Sequence, residues 1–139
     1  GQTLVWNNTD RKWEIKKPTP VDPTFFYMPS VVLPTNQADS RIVDAGNTNY
    51  TFATDTYTVN LYNLFSAQFS SPKAYSSTAT GLAGFVLTSD KYDYFVTFAD
   101  DTVFTNVNVS ATGMLTYQVN ANAIVKNGSF MNIVLKVKQ

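Results

Sequence analysis

From Tyr92 to Val137 apolar and polar residues alternate with a period of two, and that pattern restricts the chain to antiparallel sheet with one dry and one wet face. Tyr92, Tyr94, Val96 and Phe98 fall on one face of a first strand. Val103, Thr105, Val107 and Val109 share one face of a second, with Asn106, Asn108 and Ser110 opposite. Ala111-Thr112-Gly113 turns the chain back, after which Leu115, Tyr117 and Val119 alternate with Thr116, Gln118 and Asn120. Asn127-Gly128 is a two-residue hairpin signal, and Met131, Ile133, Leu135 and Val137 finish against outward Lys136 and Lys138. Short strands joined by polar turns predict a mainly β domain, an antiparallel β-sandwich or open barrel.

One segment breaks this period. Leu61, Leu64, Phe65 and Phe69 recur at helical spacing, with Asn60 as the cap and Ser70-Ser71-Pro72 as the stop, and predict a short helix over 60–69. A strand from Thr56 to Leu61 competes, because Tyr57, Val59 and Leu61 also alternate. Upstream, Phe25-Phe26-Tyr27-Met28 and Ser30-Val31-Val32-Leu33, closed by Pro34, read as one buried strand broken or bulged at Pro29. Residues 35–56 carry only Ile42-Val43 and Tyr50-Thr51-Phe52 as apolar islands, and read as a loop or a pair of short edge strands.

Residues 1–17 form a separate small unit, an N-terminal β-hairpin. Leu4 and Trp6 face one way on one strand, Trp13 and Ile15 on the next, and Asn7-Asn8-Thr9-Asp10 supplies the turn. An isolated two-stranded hairpin is marginal in water, so this unit must lean on the body or on another chain. Residues 18–23, with Pro18, Pro20 and Pro23, make a stiff extended spacer, and the body of the domain runs over 24–139.

The chain has 139 residues, enough for one domain with one core, and with 44% hydrophobic and 14% charged residues it belongs with globular proteins. Ten basic and ten acidic residues cancel, so no long-range field draws nucleic acid or an anionic membrane toward it. Arg11-Lys12-Trp13-Glu14-Ile15-Lys16-Lys17 reads as the solvated face of an amphipathic strand. No stretch reaches the ~20 apolar residues of a membrane span. Thr, Asn and Ser fill the polar positions and cysteine is absent, a composition that leans toward an extracellular or cell-surface location. Gly1 stands where an initiator Met would, and reads as the start of a mature fragment or of a piece of a longer protein, with any export signal upstream.

The chain contains neither His nor Cys, and Glu14 is its only glutamate. A Ser or Thr nucleophile would have to use a lysine or carboxylate as its base, and no local signature places one. Gly81-Leu82-Ala83-Gly84 lacks the lysine of a phosphate-cradling loop and reads as a turn before a strand. Asp90, Asp93, Asp100 and Asp101 are the remaining acid–base or calcium candidates. Adjacent Asp100 and Asp101 point apart, and the spacing of the set is that of turns rather than of a calcium loop. The expectation is a non-enzyme without a cofactor or metal. Four Asn-x-Ser/Thr triplets, beginning at Asn7, Asn49, Asn108 and Asn127, are what so Asn- and Thr-rich a chain produces by chance.

Contact chemistry therefore falls to the aromatic side chains. Trp6, Trp13, Tyr50, Tyr57 and Tyr75 lie in segments read as near the surface, and flat rings serve both sugar-binding and protein-binding faces. Gly1-Gln2-Thr3-Leu4-Val5-Trp6 followed by Lys12-Trp13 resembles the hairpins of bacterial tail-fibre-like and surface adhesin-like proteins. Phe25-Phe26-Tyr27-Met28-Pro29-Ser30, Tyr94-Phe95-Val96-Thr97, Gly113-Met114-Leu115-Thr116-Tyr117 and Phe130-Met131-Asn132-Ile133-Val134 are similar to stretches in C-terminal modules of such proteins. The resemblance implies a non-catalytic structural or adhesive module at the C-terminal end of a larger bacterial surface protein. Its partners would be another protein or a glycan at the cell surface, or a second copy in a homo-oligomer. The alternative is a carbohydrate-binding module using surface Trp and Tyr.

Overall fold

A computed structural model describes residues 3–7, 9, 12–16, 24–126 and 129–139. Strands β1 (Thr3–Asn7) and β2 (Lys12–Lys16) pair antiparallel with Leu4 opposite Ile15 and Trp6 opposite Trp13, the register that the alternation of apolar residues predicts. The spacer over 18–23 and the Asn127-Gly128 turn lie outside the described residues.

The rest is mainly β, with seven strands in two antiparallel sheets. One sheet holds β3 (Phe25–Tyr27), β9 (Met131–Val137) and β6 (Tyr92–Ala99) in that spatial order. The other holds β4 (Tyr50–Ala53), β5 (Thr56–Asn60), β8 (Met114–Val119) and β7 (Phe104–Val109). Their inward residues meet in one core with Leu61 and Phe65 of the helix α2 (Leu61–Ser70), the arrangement of a β-sandwich. A one-turn helix α1 (Ser40–Val43) precedes β4.

Aromatic rings fill much of this core. Phe65 packs edge-on against Tyr92 at 5.7 Å and against Phe69 at 4.8 Å between ring centroids, and Phe26 reaches it from β3 at 5.4 Å. In the four-stranded sheet Tyr57 stacks on Tyr117 at 5.2 Å, with Phe104 edge-on to the same ring. The Tyr117 hydroxyl donates to the Pro34 carbonyl at 2.6 Å, which satisfies the one polar atom of a fully buried side chain and ties the 28–35 segment to the core.

Several expectations need correction. The segment from Phe25 to Leu33 breaks before Pro29 and is not a buried strand: β3 covers Phe25–Tyr27, and Phe25 and Tyr27 are 63% and 68% exposed. As the edge strand of its sheet β3 buries a single side chain, Phe26, and the last bond to β9 is the Met28 amide donating to the Ile133 carbonyl at 2.8 Å, next to Pro29. The competing readings near Leu61 are both right, because β5 ends at Asn60 and α2 begins at the next residue. Asn60 serves both, its side chain accepting from the Asn63 amide. Residues 35–56 form one edge strand and the turn α1 instead of a pair of strands. Phe98 does not share the face of Tyr92 and Tyr94, because Thr97 is an extra residue between the pairs Val96–Ile133 and Phe98–Asn132. One inserted residue inverts the side-chain parity beyond it. Val103 is buried but lies in the turn before β7, and a second irregularity, with Asn106 at φ 50°, interrupts the face expected of Thr105, Val107 and Val109. The strands flanking Asn127-Gly128 are not hairpin partners, since β8 and β9 belong to different sheets.

Candidate functional site

The three-stranded sheet carries aromatic side chains on both faces. Inward, Phe26, Leu135 and Tyr94 form one cross-strand row. Outward, the neighbouring rows are Tyr27, Val134 and Phe95, then Phe25, Lys136 and Asp93. The Thr97 bulge turns Phe98 to this same outer side, opposite Asn132, where its ring lies 5.4 Å from that of Phe130. Phe95, Phe98 and Phe130 are each nearly half exposed. With Phe25 and Tyr27 they place five exposed rings on the outer side of this sheet, the β3 and β6 rings flanking Val134 and Lys136 of the central strand. A groove of ≈ 560 Å³ runs along its edge between the 28–33 segment and residues 129–133.

A solvated sheet face normally alternates to polar residues, so this surface needs an explanation. Rings with exposed fractions of this size, on side chains that bury roughly 150–250 Å² each, present on the order of 500 Å² of aromatic surface. At one end Asp93 pairs with Lys136 at 3.7 Å and Lys138 at 4.0 Å; at the other the Asp100 carboxylate accepts from Ser129 beside Phe130.

The outer face of the four-stranded sheet is the opposite in character. Thr51, Thr58, Thr116 and Asn108 form one row across all four strands. Thr105 and Gln118 pair in the adjoining row, and the Asn106 amide donates to the Gln118 side chain. Nearby, Asn36, Gln37, Asp55, Gln118 and the edges of Phe52 and Tyr57 line an open groove of ≈ 780 Å³.

The structure separates the aromatic residues that the sequence nominates. Tyr50 and Tyr57 are core residues, 6% and 5% exposed, and not surface contacts. Each is the inward member of a strand at the β4–β5 hairpin, and burial raises the pKa of both phenols. Tyr75 is 76% exposed on the segment after α2, and Trp6 is 43% exposed on β1 across from Trp13. The sequence does not single out Phe25, Tyr27, Phe95, Phe98 or Phe130: Phe25 and Tyr27 read as part of a buried strand, and Phe98 as sharing the face of Tyr92 and Tyr94. A run of uninterrupted apolar residues, Phe25-Phe26-Tyr27 and Tyr94-Phe95-Val96, was the available signal, since a strand with one wet face has no reason to place rings at consecutive positions.

The aspartates are occupied locally. The Thr88 hydroxyl donates to Asp90 at 2.6 Å and holds its carboxyl below the usual range. Asp100 accepts from the Thr102 hydroxyl and amide and from Ser129, and the Thr102 hydroxyl is the main reason its pKa is lowered. These are turn-capping bonds, and a lowered pKa disfavours a role as general acid. Among the described residues no group of three or more Asp, Glu, His or Cys side chains is placed to hold a metal ion, and no helix is long and apolar enough to cross a membrane. No protein-family model, curated protein or solved structure matches the chain.

Proposed function

We propose that this chain is a non-catalytic structural or adhesive module, displayed outside the cell as the C-terminal part of a larger bacterial surface protein, and that it makes its contacts through the outer face of the three-stranded sheet. The observation that carries the reading is the aromatic surface of Phe25, Tyr27, Phe95, Phe98 and Phe130 on the solvent side of β3, β9 and β6. Aromatic residues on rigid elements are what protein contact faces are built from. The resemblance of the Gly1-to-Trp6 stretch to tail-fibre-like and adhesin-like hairpins supports the extracellular setting.

Four of these five rings are phenylalanines, which offer no hydrogen-bonding handle, and the charged groups beside them are already paired with one another. Sugars need hydrogen-bond partners interleaved with ring faces, so this surface favours a protein partner. A glycan reading rests on the other side of the molecule, where the Asn36, Gln37, Asp55 and Gln118 groove joins amide and carboxylate groups to the edges of Phe52 and Tyr57.

Beads coated with the full chain, tested on bacterial surfaces and on a glycan array, separate the two. Protein adhesion lost in Tyr27→Lys/Phe95→Lys, with the far-ultraviolet β signal retained, is the expected result. Specific glycan binding lost in Gln118→Ala but kept in the double variant would transfer the function to the polar groove. Turnover on a hydrolase panel would overturn the non-catalytic reading.

A further inference from the structure

We infer that the partner seated on the aromatic face is a second copy of this chain, packed sheet against sheet about a two-fold axis. This rests on the reading of that face as a contact surface, and it names the occupant.

Size is the first argument. A stable interface takes roughly 800 Å² from each partner, and on the order of 500 Å² of exposed aromatic surface would supply its apolar centre. The half-buried Val134 adds to that centre between Tyr27 and Phe95, and the exposed Thr97 and the Asp93–Lys138 end are placed to supply a rim. That division into aromatic centre and polar rim is the anatomy of a protein interface.

Charge is the second. A two-fold interface sets one patch against itself, so a patch of one sign repels its copy. Here Asp93 stands between Lys136 and Lys138 on the same face, so a facing copy can exchange these pairs rather than oppose them. Ten acidic and ten basic residues leave the whole chain without net charge, which removes the long-range repulsion between copies.

Geometry is the third. The outer rows Tyr27–Val134–Phe95 and Phe25–Lys136–Asp93 lie on paired strands, and two such faces stack at ~10 Å as the sheets of a sandwich do.

Light scattering coupled to size-exclusion chromatography, on the full chain from ~1 to ~100 µM, tests the inference over the range expected of an interface of modest area. The expected result is a mass rising from monomer to dimer with concentration, and a melting temperature that rises with it, since association stabilises the native state by mass action. Tyr27→Lys and, separately, Phe95→Lys should weaken dimerisation at least tenfold while leaving the far-ultraviolet spectrum intact. Both side chains are substantially exposed, so their loss removes little core. Tyr75→Lys, on an exposed ring away from these strands, should leave the dimer unchanged. A chain that stays monomeric to ~100 µM overturns the inference, as does a dimer insensitive to both face variants. A monomer that still adheres to surfaces through Tyr27 and Phe95 overturns the dimer and leaves the contact reading standing. Loss of both leaves neither.

Discussion

Gly113 shows most directly how one residue sets the spacing of this core. It closes the β7–β8 turn at φ +86°, accepts a hydrogen bond from the Leu61 amide, and lies against the Tyr94 ring. A Cβ built there would sit 2.7 Å from a Tyr94 ring carbon. Gly113→Ala therefore combines left-handed backbone strain with overpacking against a buried aromatic, and should cost ~2–4 kcal/mol in chemical denaturation. Gly84→Ala, where a Cβ meets nothing within 4 Å, should stay within about 1 kcal/mol of the parent. The sequence reveals the turn at Ala111-Thr112-Gly113 but not the ring waiting beside it, because that contact joins separate strands.

At the scale of elements, the passage from β5 to α2 turns on Asn60. Its backbone amide still donates to Asn49 beside the strand, while its side chain already accepts from Asn63 in the first helical turn. Two patterns that compete in the sequence prove to be consecutive, since a period of two ending where a period of 3.6 begins looks ambiguous in any window spanning both. Asn60→Ala should cost ~1 kcal/mol of stability in denaturant unfolding, with Asn60→Asp retaining most of it. The alternation from Tyr92 onward is legible because β6, β8 and β9 each bury one face. What it hides are the irregularities near Thr97 and Asn106, which no local signal marks and which decide where Phe98 points. The β4–β5 turn is hidden for another reason. Thr54 and Asp55 both adopt positive φ, a conformation that Asn-Gly announces and Thr-Asp does not.

For the molecule as a whole, the same aromatic wealth yields two unlike populations, one packed between the sheets and one on the outer face, and composition alone cannot divide them. Tyr50 and Tyr57 were expected at the surface because their segment is polar, yet each is the inward member of an alternating strand. Their burial, and that of Tyr94 and Tyr117, has a consequence at high pH. Burial pushes the Tyr94 phenol up to about 12, and raises those of Tyr117, Tyr50 and Tyr57 as well. In the unfolded chain these groups ionise near 10. Between about 10 and about 12 the unfolded state thus holds fewer protons than the native state, so stability falls as pH rises through that window. Below about 10 both states are protonated and these groups leave stability unchanged. Phenolate absorbance in the near ultraviolet should therefore rise for Tyr50, Tyr57, Tyr94 and Tyr117 together with loss of the far-ultraviolet β signal, in one cooperative step. Tyr94→Phe should make the fall in stability between about 10 and about 12 shallower, because a phenylalanine there has no proton to lose, while loss of the Tyr94 hydroxyl's bond to the Ser89 carbonyl lowers stability at neutral pH. Independent titration of Tyr50, Tyr57, Tyr94 and Tyr117 near 10 with the fold intact would mean that these rings are reached by solvent, and that the core is not assembled as described.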